Sequence, residues 1–96
     1  MLHIIKHPRS LVEALMYSTE SDDILLLEDG VYAALPEHKS HTLIVDNPNV
    51  FCLSEDAVAR GLKLPKKATS LNKVRVIDFA GFVDLTAKQA QSLTWD

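Results

Sequence analysis

The chain has 96 residues, of which 47% are hydrophobic and 24% charged, and this is the size and balance of one globular domain. No apolar run approaches the roughly 20 residues that span a bilayer, and the N-terminus does not resemble a signal peptide. One cysteine excludes an intramolecular disulfide and fits a reducing compartment. We therefore expect a single cytoplasmic domain over residues 1–96, without membrane contact.

Short apolar runs alternate with helical patterns along the first part of the chain, which is typical of βαβ units. Residues Leu2 to Ile5 predict a first strand. Residues Leu11 to Ser18 predict a helix capped by Ser10. The run from Ile24 to Leu27 lacks alternation and predicts a strand covered on both faces. The apolar stripe expected to face the core from the first helix is Leu11, Val12, Leu15 and Met16.

The middle of the chain is harder to interpret. The turn at Glu28-Asp29-Gly30 ends the second strand, and Val31 to Leu35 predicts a short helical turn broken by Pro36. Residues Thr42 to Val45 suit either a strand or a buried helical turn, because periodicity does not separate the two. Residues Val50 to Leu53 predict a clearer strand.

The last third returns to a regular alternation. Ser54 is predicted to cap a helix that ends with Gly61 at its C′ position. A strand is expected from Val74 to Ile77, and Asp78 is expected to cap a helix from Phe79 to about Gln89. The end of this helix precedes a short final strand with Leu93, Thr94 and Trp95.

The predicted architecture is an α/β fold in three layers. About five mostly parallel strands form a small flavodoxin-like sheet with helices on both of its faces. Glycine occurs only three times, and never in a phosphate-binding pattern, which argues against a nucleotide site.

The single thiol, Cys52, is the only candidate nucleophile. A persulfide carrier needs an accessible thiol with a lowered pKa. Cys52 lies within an apolar strand, and the nearest charges along the chain are those of Glu55 and Asp56. Burial and negative charge both disfavour a thiolate, so we interpret Cys52 as a small core residue.

Three histidines invite a functional interpretation. His38 and His41 share the i, i+3 spacing of two metal ligands, but no third ligand is evident, and we expect both to be solvated loop residues rather than a metal site. His3 alternates with apolar neighbours on the first strand, and we expect a hydrogen-bonded structural residue there. Contact with another subunit is the alternative for His3.

The basic residues are concentrated between positions 60 and 75, a stretch that contains six of the ten and no acid. Such a patch attracts an acidic partner or a phosphate backbone, although a solvated loop is the commoner outcome. The predicted basic patch consists of Arg60, Lys63, Lys66, Lys67, Lys73 and Arg75.

The last helix carries an apolar stripe of Phe79, Phe82 and Val83, with Leu85 to one side. In a monomer this stripe is core, and in an assembly it is a subunit contact.

Four segments together resemble the TusB/DsrH family, in family order and spacing. They are MLH at Met1–His3 before a proline-containing turn, LLLEDGVYAAL at Leu25–Leu35, FCLSEDAVARGL at Phe51–Leu62, and VIDFAGFVDLT at Val76–Thr86 ahead of Trp95.

The resemblance implies a DsrEFH-like fold and a place in a TusBCD-type complex, where three related subunits form a dimer of heterotrimers. There, persulfide sulfur passes along cysteines toward 2-thiouridine at the tRNA wobble position, and the transferring cysteine belongs chiefly to the TusD-like subunit. The implied partners are TusC-like and TusD-like sister subunits, with TusE-like and TusA-like carriers reached through the complex and tRNA only indirectly. No cofactor or metal is expected.

Contact with sister subunits is expected at Glu28, Asp29, Gly30, Tyr32, Phe79 and Phe82. Some DsrH members carry a cysteine on the first helix, and the matching position here is Ala14. This difference favours tRNA modification over sulfur oxidation.

The leading hypothesis is a non-catalytic scaffold subunit of a sulfur relay. The alternatives are a sulfurtransferase that uses Cys52 as a persulfide carrier, a DsrEFH-type subunit of dissimilatory sulfur oxidation, and a stand-alone homo-oligomeric regulator.

Overall fold

The computed structural model describes residues 1–96 and shows an α/β fold built on one five-stranded sheet. The strands are β1 (Leu2–Ile5), β2 (Asp23–Leu26), β3 (Val50–Leu53), β4 (Arg75–Ile77) and β5 (Ser92–Trp95). Their order across the sheet is β4-β3-β2-β1-β5, and every neighbouring pair is parallel. The α/β class and the five parallel strands expected from the sequence are confirmed.

Helices connect the strands. The α-helices are α1 (Leu11–Tyr17), α2 (Ser54–Ala59) and α3 (Phe79–Lys88). Three short segments are 3-10 helices, namely Pro8–Ser10, Glu28–Ala34 and Lys39–Leu43, called the first, second and third 3-10 helix. No helix of the chain has the length and apolar character needed to cross a membrane.

The core lies on both faces of the sheet, because successive side chains of a strand point to opposite sides. On the first face, β-strand residues pack against α1, α2 and the 3-10 helices. The buried residues of this first face are Ile5, Leu11, Ala14, Ile24, Leu26, Val31, Ala33, Ala34, Ile44, Val50, Cys52, Ala57 and Val74. On the second face, only α3 packs against the sheet, and the buried cluster is Leu2, Leu25 and Leu85.

Two of the four predicted helix ends are confirmed. The carboxylate of Asp78 accepts a hydrogen bond from the Gly81 N–H at 2.8 Å, which caps α3. Gly61 follows α2 with φ +71°, the left-handed conformation that a C′ glycine adopts without a steric penalty. Ser54 is the first helical residue rather than the cap, and its hydroxyl donates to Glu55 instead.

For Ser10 the predicted position is right, but the predicted capping hydrogen bond is not formed. It stands at the N-cap position of α1, but its hydroxyl donates to the carbonyl of Asp96 at 2.6 Å rather than to the helix. The side chain therefore links the start of α1 to the residue that follows β5. Local propensity placed Ser10 correctly, and a contact across the fold redirected its hydroxyl.

The buried stripe of α1 differs from the predicted one. Leu11 and Ala14 are fully buried, whereas Val12 is 52% and Met16 83% exposed. The helix has only seven residues, which is about two turns, so the sequence pattern fixes its rotation poorly. The contacts of α1 with β1 and with the third 3-10 helix determine which side faces inward.

The segment from 37 to 48 contains no strand, so of the two structures predicted for Thr42–Val45 the helical turn is the one that forms. It contains the third 3-10 helix, and Ile44 directly after it is the residue that enters the core. Asn72, from the long connection before β4, is buried nearby and donates from its amide to the carbonyl of Ala34 at 2.9 Å. A polar side chain thus anchors this irregular part of the fold.

Candidate functional site

The carboxyl ends of β1 and β2 meet at Gly30, in the second 3-10 helix. Its N–H donates to the carbonyls of Lys6 at 3.1 Å and Leu27 at 2.9 Å. A Cβ placed on Gly30 would lie 2.1 Å from the carbonyl oxygen of Ile5. The second 3-10 helix therefore packs directly on the backbone at the end of β1, which only glycine allows.

The two acids before Gly30 bind different partners. The Asp29 carboxylate accepts a hydrogen bond from the Arg60 guanidinium at 2.9 Å, and this bond raises the pKa of Arg60. Glu28 has φ +50° and lies 3.6 Å from the ammonium of Lys6. The two carboxylates therefore do not form an acid/base pair. Gly30 is buried and shapes the turn.

A cavity of about 440 Å³ opens beside this turn. It is lined by His7, Pro8, Arg9, Asp29, Tyr32, His38, Lys39 and Ser40. These residues come from the three 3-10 helices and the residues just before the first and third, and only one of the eight is hydrophobic. The sequence analysis named Asp29 and Tyr32 as contact residues and treated His38 as a solvated loop residue. It did not single out His7, Arg9 or Lys39, because no spacing pattern connects them.

Two histidines of the cavity are held by the same type of hydrogen bond. The Nδ1 atom of His7 accepts the N–H of Arg9 at 3.1 Å, and the Nδ1 atom of His38 accepts the N–H of Ser40 at 3.0 Å. An Nδ1 that accepts must be unprotonated, so the proton of each neutral ring is on Nε2. Each imidazole is therefore fixed in orientation and in tautomer, and each keeps one free N–H donor.

His41 is buried, so the expectation of a solvated residue is wrong. Its Nδ1 hydrogen-bonds to the carbonyl of Ala33 at 2.9 Å and must donate there, while its buried Nε2 has no partner. His38 instead accepts from its own helix, so the two rings serve separate structural purposes. No group of three or more His, Cys, Asp or Glu side chains is arranged to hold a metal ion.

The thiol of Cys52 is fully buried, in agreement with the sequence-based interpretation. Its side chain lies on the first face of the sheet, where it packs among apolar residues and is 0% exposed. Burial, reinforced by the negative charge of Asp56, raises the pKa of the Cys52 thiol to about 12. At neutral pH such a group is a protonated thiol without access to a sulfur donor.

His3 belongs to a polar network at the opposite, amino-terminal edge of the sheet. Its buried ring accepts the indole N–H of Trp95 on Nδ1 at 3.1 Å and donates from Nε2 to Asp22 at 2.9 Å. The bond from His3 holds the pKa of Asp22 well below its usual range, and the N-terminal amine of Met1 lies 3.0 Å from the same carboxylate. The predicted structural role of His3 is confirmed.

The six residues of the predicted basic patch divide into two groups. Three have partners within the chain: Arg60 binds Asp29, Lys73 lies 3.7 Å from Asp46, and Arg75 lies over the ring of Phe51. The other three have no acid within ion-pair distance, and they are Lys63, Lys66 and Lys67. Within the predicted patch, the cations without any partner in the chain thus lie in the loop after α2.

The second face of the sheet is only partly covered. Leu85 is the buried residue of α3, which corrects the prediction that it lies to one side. Phe79 is 59% and Val83 49% exposed, and the Phe79 and Phe82 rings meet edge to face at 5.9 Å. The partly buried apolar residues that border this surface are Ile4, Leu27, Phe51, Ile77 and Phe82.

Comparisons with known proteins agree on the family of this chain. The model of the family described as DsrH like protein matches residues 7–92. The chain belongs to this DsrH-like family. It is 40% identical over 101 residues to Protein TusB of Yersinia pestis strain Pestoides F, covering 99% of this chain and 100% of the relative. Protein TusB of Yersinia pseudotuberculosis serotype O:1b, strain IP 31758, matches equally well.

A solved structure supports the fold of this DsrH-like chain. The solution NMR structure of Protein Tm0979 from Thermotoga maritima superposes with a TM-score of 0.59 at 26% identity, covering 95% of this chain and 97% of that one. The family match and the TusB relatives confirm the resemblance inferred from the four sequence segments. At Ala14, where the resemblance places a cysteine in some members, the side chain is fully buried within α1.

Proposed function

We propose that this chain is a scaffold subunit of a TusBCD-type sulfur-relay complex that supplies sulfur for 2-thiouridine at the tRNA wobble position. The observation that carries the proposal is membership of the DsrH-like family together with 40% identity to TusB proteins along the whole chain. Both support a sulfur-relay subunit.

The state of Cys52 supports a role without sulfur transfer. A thiolate attacks a persulfide or disulfide sulfur, so the attacking group must be both ionised and reachable. Cys52 is fully buried with a pKa of about 12, and it meets neither requirement. The alternative in which Cys52 carries a persulfide would require β3 to open. We therefore assign bond-making to a TusD-like sister subunit.

The second face supports a role in assembly. A parallel sheet is normally covered by helices on both faces, because its strands are apolar on both sides. Here α3 is the only helix on that face, and it presents Phe79 and Val83 to solvent. Aromatic residues are enriched where subunits meet. We assign this surface to contact with a TusC-like or TusD-like subunit.

The turn that contains Glu28 and Asp29 and the loop after α2 are assigned to the border of the assembly. Tyr32 and the exposed acids Glu28 and Asp29 lie at the carboxyl edge of the sheet, where they would border a sister subunit. The lysines without an acidic partner, Lys63, Lys66 and Lys67, would attract an acidic surface of a TusE-like or TusA-like carrier. Contact with tRNA would be indirect, through these carriers.

Reconstituted sulfur transfer tests the scaffold role. In the assembled complex, replacing Cys52 with serine or alanine should leave the rate of persulfide transfer to the carrier unchanged. The matched control is a serine in place of the transferring cysteine of the TusD-like subunit, which should abolish transfer. If Cys52→Ser stops transfer while size-exclusion chromatography shows an intact complex, the scaffold role is rejected.

Charge placed on the second face tests the assembly surface. Phe79→Glu introduces a carboxylate into the proposed contact at an exposed position, so the chain should fold but fail to co-purify with its sister subunits. Met16→Glu is the control, because Met16 is 83% exposed on α1, which packs on the other face. Dissociation by Met16→Glu alone would assign the contact to α1 instead.

The pathway is tested in cells. Deletion of this chain should lower 2-thiouridine in hydrolysed tRNA, measured by mass spectrometry, and the Cys52→Ser variant should restore it. A DsrEFH-type role in sulfur oxidation predicts unchanged tRNA thiolation and loss of growth on reduced sulfur. The alanine at position 14 favours the first outcome, since no thiol is present there.

A further inference from the structure

The cavity beside Gly30 is surrounded by hydrogen-bond donors that nothing within the chain engages. Arg9 and Lys39 have no acid within ion-pair distance, and the phenol of Tyr32 has no hydrogen-bond partner. The Nε2 atoms of His7 and His38 are likewise unpartnered, while their Nδ1 atoms are occupied. Five residues with unengaged donor groups thus line one space of about 440 Å³.

The electrostatic balance of the cavity is positive. Asp29 is its only acid, and the Arg60 guanidinium, 2.9 Å away, compensates the charge of that carboxylate. Arg9 and Lys39 remain as uncompensated cations. Seven of the eight lining residues are not hydrophobic, so polar and charged groups select the ligand. The chemistry that fits is an anion rich in hydrogen-bond acceptors.

The fixed rings of His7 and His38 make the cavity prefer a ligand group that accepts hydrogen bonds. Because the backbone N–H groups of Arg9 and Ser40 hold the two Nδ1 atoms, neither ring exposes an acceptor without first losing that bond. Both can only donate through Nε2. Orientation fixed before binding reduces the entropy lost when a ligand is bound.

We propose that this cavity binds a small tetrahedral oxyanion of the phosphate or sulfate type, free or as the head of a small organic molecule. The oxygens of such an anion can accept from His7, His38 and Tyr32, while Arg9 and Lys39 balance its charge. The cavity is larger than a single oxyanion, which leaves room for a substituent. The site uses neither Cys52 nor the second face, and it shares only Asp29 and Tyr32 with the edge assigned to a sister subunit.

NMR titration of the full-length chain with inorganic phosphate tests the site, with chloride at matched ionic strength as the reference. Saturable shifts should appear at the amides of the cavity residues and at the ring signals of His7 and His38. A parallel titration with glycerol phosphate distinguishes the two sources: tighter binding than phosphate indicates an ester head group, and equal binding indicates a free oxyanion. Absence of saturable shifts with both probes overturns the proposal.

The variants are chosen to preserve the fold. An asparagine oxygen can replace Nδ1 as the acceptor of the backbone N–H but offers no Nε2 donor. The double variant His7→Asn/His38→Asn should therefore fold normally and bind about tenfold more weakly or worse. Arg9→Gln should also weaken binding, whereas Lys67→Gln removes an equally unpaired charge elsewhere and should not. If Arg9→Gln and Lys67→Gln weaken phosphate binding equally, the binding is general charge attraction and the proposed site is rejected.

Discussion

Removal of the Asp22 carboxylate is the most informative stability experiment, because this group satisfies a donor inside the protein. The Nε2 of His3, whose ring is fully buried, donates to Asp22 at 2.9 Å, and the N–H of Thr19 donates to the same oxygen at 3.1 Å. In Asp22→Ala the His3 donor is left without a partner. A buried unsatisfied donor costs about 1–3 kcal/mol.

That cost is large for a domain of 96 residues. For this size, each kcal/mol lowers the melting temperature by roughly 4–8 °C, so Asp22→Ala should unfold about 5–20 °C below the parent chain. Asp22→Asn keeps one acceptor oxygen and should lose about half as much. Glu20→Gln removes one negative charge two residues away and serves as the control. Urea unfolding followed by circular dichroism measures each difference.

The pH dependence gives an independent check. The folded pKa of Asp22 is lower than its unfolded value, chiefly because of the bond from His3. Its contribution to stability is therefore fully present above the unfolded value near 4 and is lost as the pH falls below about 4. The difference between the parent chain and Asp22→Asn should be constant from about pH 5 to 7 and shrink in acid. A difference that grows in acid, or an Asp22→Ala variant as stable as the parent, would refute the reasoning.

Three further substitutions test individual contacts, each measured by chemical denaturation. Gly30→Ala places a methyl group against the rigid carbonyl of Ile5 and should cost about 3 kcal/mol or more, so an unperturbed midpoint would contradict the packing at that turn. Asp78→Ala removes the cap of α3 and should cost about 1 kcal/mol, a loss that Asp78→Ser should largely restore. Asn72→Ala leaves the carbonyl of Ala34 and the N–H of Val74 unpaired in the interior and should cost about 2 kcal/mol, and a change below half of that would mean that water replaces the amide.

The strands were predictable because their signals are local. Four predicted strands of four residues each, two of them entirely apolar, fall on β1 to β4 within one residue. Gly61 and Asp78 were found for the same reason, since their turn and cap geometry depends on their own backbone neighbourhood. The parallel arrangement followed from apolar runs without alternation, which a sheet covered on both faces requires.

The faces of the helices were less predictable, because tertiary contacts set them. Met16 was expected inside and lies outside, and Leu85 was expected to one side and is the residue of α3 that packs on the sheet. A short helix buries whatever side its connections impose. The cavity was least predictable, since His7 and Lys39 are far apart in sequence and meet only because Gly30 lets two backbones touch.

The order of the sheet also determines when the fold can be completed. The first strand of the chain lies between β2 and β5, and its pairing with β5 joins Leu2 to Ser92. During synthesis β1 can pair with β2 early but acquires its second neighbour only after residues 92–95 have emerged from the ribosome. Until then one edge of β1 offers unpaired backbone groups to any other strand, and the indole that satisfies His3 is missing. The nascent chain is therefore exposed to mispairing at this edge until β5 has docked beside β1.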